Sequence, residues 1–201
     1  MSSRPVIDVS RLPTYAFSHR SIMFWGTAGM IVIEGTMFVI ALVTYYYLRG
    51  HALHWPMSSP PPALIWGTVN TAILIVSGLP NHLAAKASER KDLAGVRLWM
   101  LVSVAVAAAF HVVRALEFTT LNTHWSNNAY GSIVFTLLIL HTVHSVTDFV
   151  DTIVLTALMF TSRITGKRYV DVNENADYWW FIVIAWLPIY FTLYLVPRWF
   201  P

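Results

Sequence analysis

The 201-residue sequence contains no cysteine, which excludes disulfides, thiolate zinc sites, iron–sulfur clusters and covalent haem attachment. Charge is also scarce. Asp, Glu, Lys and Arg make up 11% of the chain, where a soluble domain carries about 25%. Lys and Arg outnumber Asp and Glu by 13 to 10. No basic run, however, reaches the roughly five to eight residues of a nucleic-acid patch, so nucleic acid is excluded as a partner. A Gly-rich phosphate loop, a nucleophile elbow and a helix-borne zinc protease motif are missing as well, and no catalytic residue is assigned.

What is present is apolar: 56% hydrophobic and 14% aromatic residues, with a mean hydropathy of +0.57. A helical crossing takes about 20 apolar residues, so the chain has room for one domain with at most about six or seven spans. A polar segment, residues 1–21, leads into an apolar stretch from Ile22 to Leu48 with no small-residue cleavage site, which reads as a retained helix and not a signal peptide. Further apolar stretches lie at about 64–84, 96–119, 130–161 and 178–196. Breaker-rich or charged segments separate them: Pro56–Pro62, Ala85–Asp92, Asn122–Asn128 and Ser162–Asp177. The expected fold is an all-α integral membrane bundle of five transmembrane helices in a single domain, residues 1–201.

Lys and Arg fix the expected orientation, because positively charged loops stay cytoplasmic. Arg4, Arg11 and Arg20, then Lys86, Arg90, Lys91 and Arg97, then Arg163, Lys167 and Arg168 fall on one side; Arg49 and Arg198 fall on the other. This places the N-terminus inside and the C-terminus outside. Aromatic residues at span ends, among them Trp25, Tyr45–Tyr47, Trp66, Trp99 and Tyr178–Trp180, are expected to form interfacial belts.

Ionisable residues within the spans carry the functional argument, since a charge at the bilayer centre costs about 2.5–3.5 kcal/mol on insertion scales. Glu34 lies about 18 Å into the first helix, near the middle of a core about 30 Å thick, and is expected to be neutral or paired inside the bundle. On the fourth helix His141, His144, Asp148 and Asp151 fall within an arc of about 80° at 100° per residue, and the histidines share the depth of Glu34. Such a stripe reads as a buried hydrogen-bonded seam or a lipid-headgroup contact. A proton relay and a metal site are the alternatives, and spacing alone assigns no metal ligand. On the third helix Arg114 and Glu117 have ion-pair spacing after His111, and their place near the outer end suggests that Arg114 snorkels to the interface. Asn70, Thr71 and Ser77 on the second helix read as interhelical hydrogen-bonding residues.

Several segments together resemble subunit III of the haem-copper terminal oxidases, in the short bacterial form with five helices. They are FWGTAGMIVIEGTMF around Glu34, NTAILIVSG from Asn70, Glu117 at the end of helix three, YGSIVFTLLILHTVH with its two histidines three apart, and YWWFIVIAW in the last helix. The resemblance runs from about Met23 to Trp199. It departs at Trp180 and Val183, where the family has histidine and aspartate, and at Thr147 and Asp148, where glycines are usual. It implies an accessory subunit in a bacterial inner membrane that holds no cofactor itself. The haem and copper would lie in the partner catalytic subunit. The chain would pack against subunits I and II, bind phospholipid between its helices, and support proton uptake by a complex that passes electrons from cytochrome c or quinol to oxygen. An accessory subunit of a nitric oxide reductase is the nearest alternative, and an autonomous transporter, for which paired broken helices are lacking, the more distant one.

Overall fold

The computed structural model describes residues 17, 21–57, 59–161 and 166–199. The tail residues Arg4, Arg11 and Arg20, and Arg163 in the fourth connection, lie outside them. Among the described residues five helices are long and apolar enough to cross a membrane: α1 (Ile22–His51), α2 (Leu64–Glu89), α3 (Leu93–Phe118), α4 (Ala129–Met159) and α5 (Gly166–Tyr190), the last continuing through a widened turn at Phe191–Leu195 into Val196–Trp199. No strand is present among the described residues.

Local chemistry sets the helix ends. Ser21, Asp92 and Asn128 stand at the N-caps of α1, α3 and α4, and their side chains accept from the amides of Met23, Gly95 and Gly131. Each of these bonds satisfies a backbone donor that the helix cannot use itself. Gly131 has a second role, because a Cβ there would lie 2.2 Å from the carbonyl oxygen of His124. Only glycine lets the α3–α4 connection fold back onto the first turn of α4. The turn between α2 and α3 is three residues long, with Lys91 in the left-handed region at φ 55°.

Two helices run well beyond the apolar stretches that mark them. α2 continues beyond residue 84 to Glu89 because Ala84–Glu89 is rich in helix formers, and the apolar boundary marks the membrane edge and not the helix end. α5 starts at Gly166, twelve residues before the apolar stretch at 178, so Lys167–Asp177 forms polar helical turns where a loop was expected. Pro80 lies inside α2 and Pro188 inside α5. Three residues after Pro188, α5 opens into a turn with an i→i+5 bond, Val196 N–H to the Phe191 carbonyl.

α5 is central and packs on α1, α2 and α4, while α2 pairs closely with α3 and α3 with α4. α1 rests on α4 and α5 and buries only Phe38, Ala41 and Tyr45. Its other faces present apolar side chains such as Val32, Ile33 and Val43 outward, as suits a surface in contact with lipid. The larger core gathers Leu74, Phe110, Leu137, Leu138, Trp179 and Trp186. A smaller one joins Ala84, Val96, Met100, Leu155, Met159 and Val172 at the end of the bundle where α1 begins. The interfacial assignment of the aromatics is corrected here. Trp25, Tyr46 and Tyr47 do face outward, but Tyr45 is fully buried and Trp179 is 1% exposed. Tyr45 packs edge-on against Trp55 and accepts its indole N–H at 3.0 Å, so these rings fill the core.

Candidate functional site

Two polar sites form inside the bundle. The first lies where α2, α3, α4 and α5 meet. Arg114 and Glu117, one turn apart on α3, form an ion pair of 2.9 Å. Asn70 of α2 donates to the same carboxylate oxygen at 2.9 Å. The Tyr194 hydroxyl, in the widened turn after α5, donates to the other oxygen. The Arg114 guanidinium lies 4.0 Å from the ring centroid of Trp186 and 5.1 Å from that of Phe110, and it stands 3.3 Å from His141 Nδ1. Arginine has no acceptor, so His141 Nδ1 accepts, and its Nε2–H donates to the Ile182 carbonyl at 3.1 Å. Snorkelling of Arg114 is therefore incorrect: the side chain is 1% exposed. It turns inward because a carboxylate and an aromatic face inside the bundle compensate its charge.

Helix-two polar residues receive donors from α5. Trp186 donates its indole N–H to Thr71 at 2.7 Å and Trp179 donates to Ser77 at 2.8 Å. Gly67 makes room for Tyr194, since a Cβ there would lie 2.5 Å from that ring. His111 is not part of either site. Its Nδ1 donates to the Ala107 carbonyl at 2.7 Å and its ring stacks on Phe149.

The second site is a cleft of about 580 Å³ between α1, α4 and α5, near the start of α1. Tyr178 donates to Glu34 Oε2 at 2.5 Å, and His144 Nε2 stands 3.8 Å from the same oxygen. His144 Nδ1 donates to the Leu140 carbonyl at 2.6 Å. Deeper along α4, Asn175 donates to Asp148 Oδ1 at 3.1 Å and lies 3.4 Å from Asp151 Oδ2, while the Thr152 hydroxyl is 3.1 Å from Asn175 Oδ1. The helix-four stripe thus divides. His141 belongs to the arginine site, His144 stands behind Glu34 of the cleft, Asp148 lines the cleft, and Asp151 is exposed at its rim. An inward orientation for all four is corrected at Asp151, because α5 is polar at this level and the cleft is open there.

Tyr178, Asn175, Tyr194 and Trp186 hold these sites together, yet an inventory of ionisable residues passes over them. They could have been found by asking which neutral donors on the facing helix would satisfy each buried carboxylate. Among the described residues no three His, Asp or Glu side chains are grouped so as to hold a metal ion.

The fold and its sites define a five-span integral membrane protein with two clusters of polar side chains bonded between its helices. The family model for cytochrome c oxidase subunit III matches residues 61–198, and the chain belongs to that family. Similar proteins include the cytochrome c oxidase subunit 3 of Thermostichus vulcanus, 25% identical over 188 residues that cover 92% of each chain. That of Corynebacterium diphtheriae is 24% identical over 187 residues, 90% of this chain and 91% of the other. That of Synechocystis is 23% identical over 183 residues, 89% and 77% respectively. The chain is accordingly an accessory subunit of a haem-copper oxidase complex and a multi-pass membrane protein.

Proposed function

We propose that the chain is a non-redox support for the catalytic subunit of its oxidase. It packs beside subunits I and II in a bacterial inner membrane, with its N-terminus inside, and binds phospholipid along its helices. The observation that carries this reading is the buried cluster that joins helices at Glu117, which takes donors from three residues on three elements. Such an arrangement fixes helix positions, and with them the outer surface offered to a partner. By family resemblance, that partner holds the haem and copper and sends electrons to oxygen while taking up protons. Lys86 in the last turn of α2, with Arg90 and Lys91 in the α2–α3 turn, supports the orientation.

Purification in mild detergent tests the proposal directly. The complex should show haem and copper absorption and contain a catalytic subunit, whereas the isolated chain should be colourless in the visible. Stoichiometric haem on the isolated chain would overturn it.

A further inference from the structure

Between Tyr190 and Arg198 the end of α5 is tied to four other segments of the chain. The Tyr190 hydroxyl pairs with Thr68 of α2 at 2.7 Å, and Thr192 pairs with the Tyr46 hydroxyl of α1 at 3.1 Å. The Tyr194 hydroxyl donates to Glu117 of α3. Arg198 donates to the carbonyl of Pro62, in the α1–α2 connection, and to that of Tyr194. Next to Pro62, the Ala63 N–H donates to the Thr120 carbonyl at 3.0 Å, just past the end of α3. The surface connection and the buried ion pair thus meet on one short stretch of helix, and that stretch holds the widened turn Phe191–Leu195.

Helical geometry makes two of these ties depend on the width of the turn. At 100° per residue a regular α-helix would carry Tyr194 about 80° round the axis from Trp186, yet both side chains meet the Arg114–Glu117 pair. A wider turn advances less per residue, and Tyr190 and Tyr194 accordingly stack, with centroids 5.2 Å apart and planes at 22°. Gly67 leaves the space that the Tyr194 ring takes up in this register. An i→i+5 turn holds one residue more than an i→i+4 turn. Closing it would therefore rotate the chain beyond by about 100°, drawing Tyr194 off Glu117 and Arg198 off Pro62. Tyr190 precedes the turn and keeps Thr68 in either register. We propose that the widened turn is a register latch, held by the Tyr194–Glu117 bond on one side and by Arg198 on Pro62 on the other, so that the buried ion pair and the α1–α2 connection hold or release together. The inference goes beyond the supporting role above and does not depend on it: one turn of α5 is a two-state element that both ends bias.

Residue-resolved amide hydrogen exchange on the full chain with its copurifying subunits tests the latch. The Ala63 N–H reports the connection, and the Val196 N–H, bonded to the Phe191 carbonyl, reports the turn. Tyr194→Phe removes a hydroxyl that bonds Glu117 and not the connection. It should speed exchange at both amides by about fivefold or more, the loss of one buried hydrogen bond expressed as an opening equilibrium. Arg198→Met should act on the same two amides, and the double variant should exchange no faster than the faster single one, because a single latch opens once. Tyr190→Phe loses a hydroxyl bond outside the turn and should leave both amides unchanged. Three results overturn the proposal: an unaltered Ala63 rate in Tyr194→Phe, independent addition of the two changes, or an equal effect of Tyr190→Phe, which would indicate general loosening. Should Tyr194→Phe fail to assemble, Arg198→Met decides alone. Faster exchange at both amides then supports the latch, and faster exchange at Ala63 with Val196 unchanged overturns it.

Discussion

Replacing Arg114 by methionine isolates the energetics of the buried arginine site. The change preserves most of the side-chain volume but removes the 2.9 Å ion pair with Glu117 and the cation held 4.0 Å over Trp186. Glu117 stays fully buried with only Asn70 and Tyr194 as side-chain donors. Breaking one partner out of a buried pair costs about 3–5 kcal/mol because a buried charge is left uncompensated. That is a large share of the about 5–15 kcal/mol that typically holds a domain together. It also exceeds the loss of one interhelical hydrogen bond in a bilayer, about 0.6 kcal/mol on average. Adding Glu117→Gln removes the stranded charge while keeping an acceptor for Asn70 and Tyr194. The double variant should therefore recover about 2 kcal/mol or more relative to Arg114→Met alone. The assay is reversible unfolding in mixed micelles followed by tryptophan fluorescence, analysed as a double-mutant cycle. The reasoning is refuted if Arg114→Met unfolds within about 0.5 kcal/mol of the unaltered chain, or if the double variant is no more stable than the single.

Three further outcomes follow from particular contacts. Gly67→Ala places a methyl 2.5 Å from the ring of Tyr194 and should destabilise by about 1–3 kcal/mol, the usual cost of overpacking, in the same unfolding assay. The same change at Gly50, with nothing within 4 Å of its Cβ, should be nearly silent. Glu34→Gln keeps an acceptor for Tyr178 and should leave assembly intact and turnover only modestly changed. Tyr178→Phe loses the bond between α5 and α1 and should weaken retention of α1 by about 1 kcal/mol, read as faster protease cleavage of the α1–α2 connection. A reporter fused after Pro201 should behave as periplasmic and one inserted between residues 161 and 166 as cytoplasmic; both on one side would refute the orientation.

The five spans were legible because membrane helices must bury or expose nearly continuous apolar runs, and 20-residue windows detect them. Helix ends were less so. The polar turns Lys167–Asp177 are helical because α5 packs on α4 at this level, where Asn175 meets Asp148, and hydropathy carries no information about that contact. The ion-pair spacing of Arg114 and Glu117 was visible in the sequence. That Arg114 points inward depended on Trp186 and Tyr194, more than 70 residues away, and no local pattern encodes their approach. Asp151 shows the opposite limit. It shares a helical face with His144 and Asp148, yet it lies one turn nearer the open end of the cleft.

The division of the helix-four stripe favours its structural reading over the proton-conducting one. A file needs each side chain to share a bond, directly or through water, with the next. His141 has both ring nitrogens engaged, by Arg114 and by the Ile182 carbonyl. His144 spends Nδ1 on the Leu140 carbonyl, and its remaining nitrogen faces Glu34 on the other side. The ring of Phe38 packs against both histidines, with centroids 6.2 Å and 5.0 Å away, and gives them a shared apolar neighbour. Val183, where the resembled family has aspartate, is buried and adds no polar group on α5. Asp148 instead supplies a carboxylate on α4, about two turns closer to the start of α1 than the level of His141. The two clusters thereby share no side-chain bond among the described residues. The arginine site ties α2, α3, α4 and α5 together at one end, and the cleft joins α1 to α4 and α5 at the other. These contacts favour the reading of the stripe as a seam in two parts over a path through the membrane.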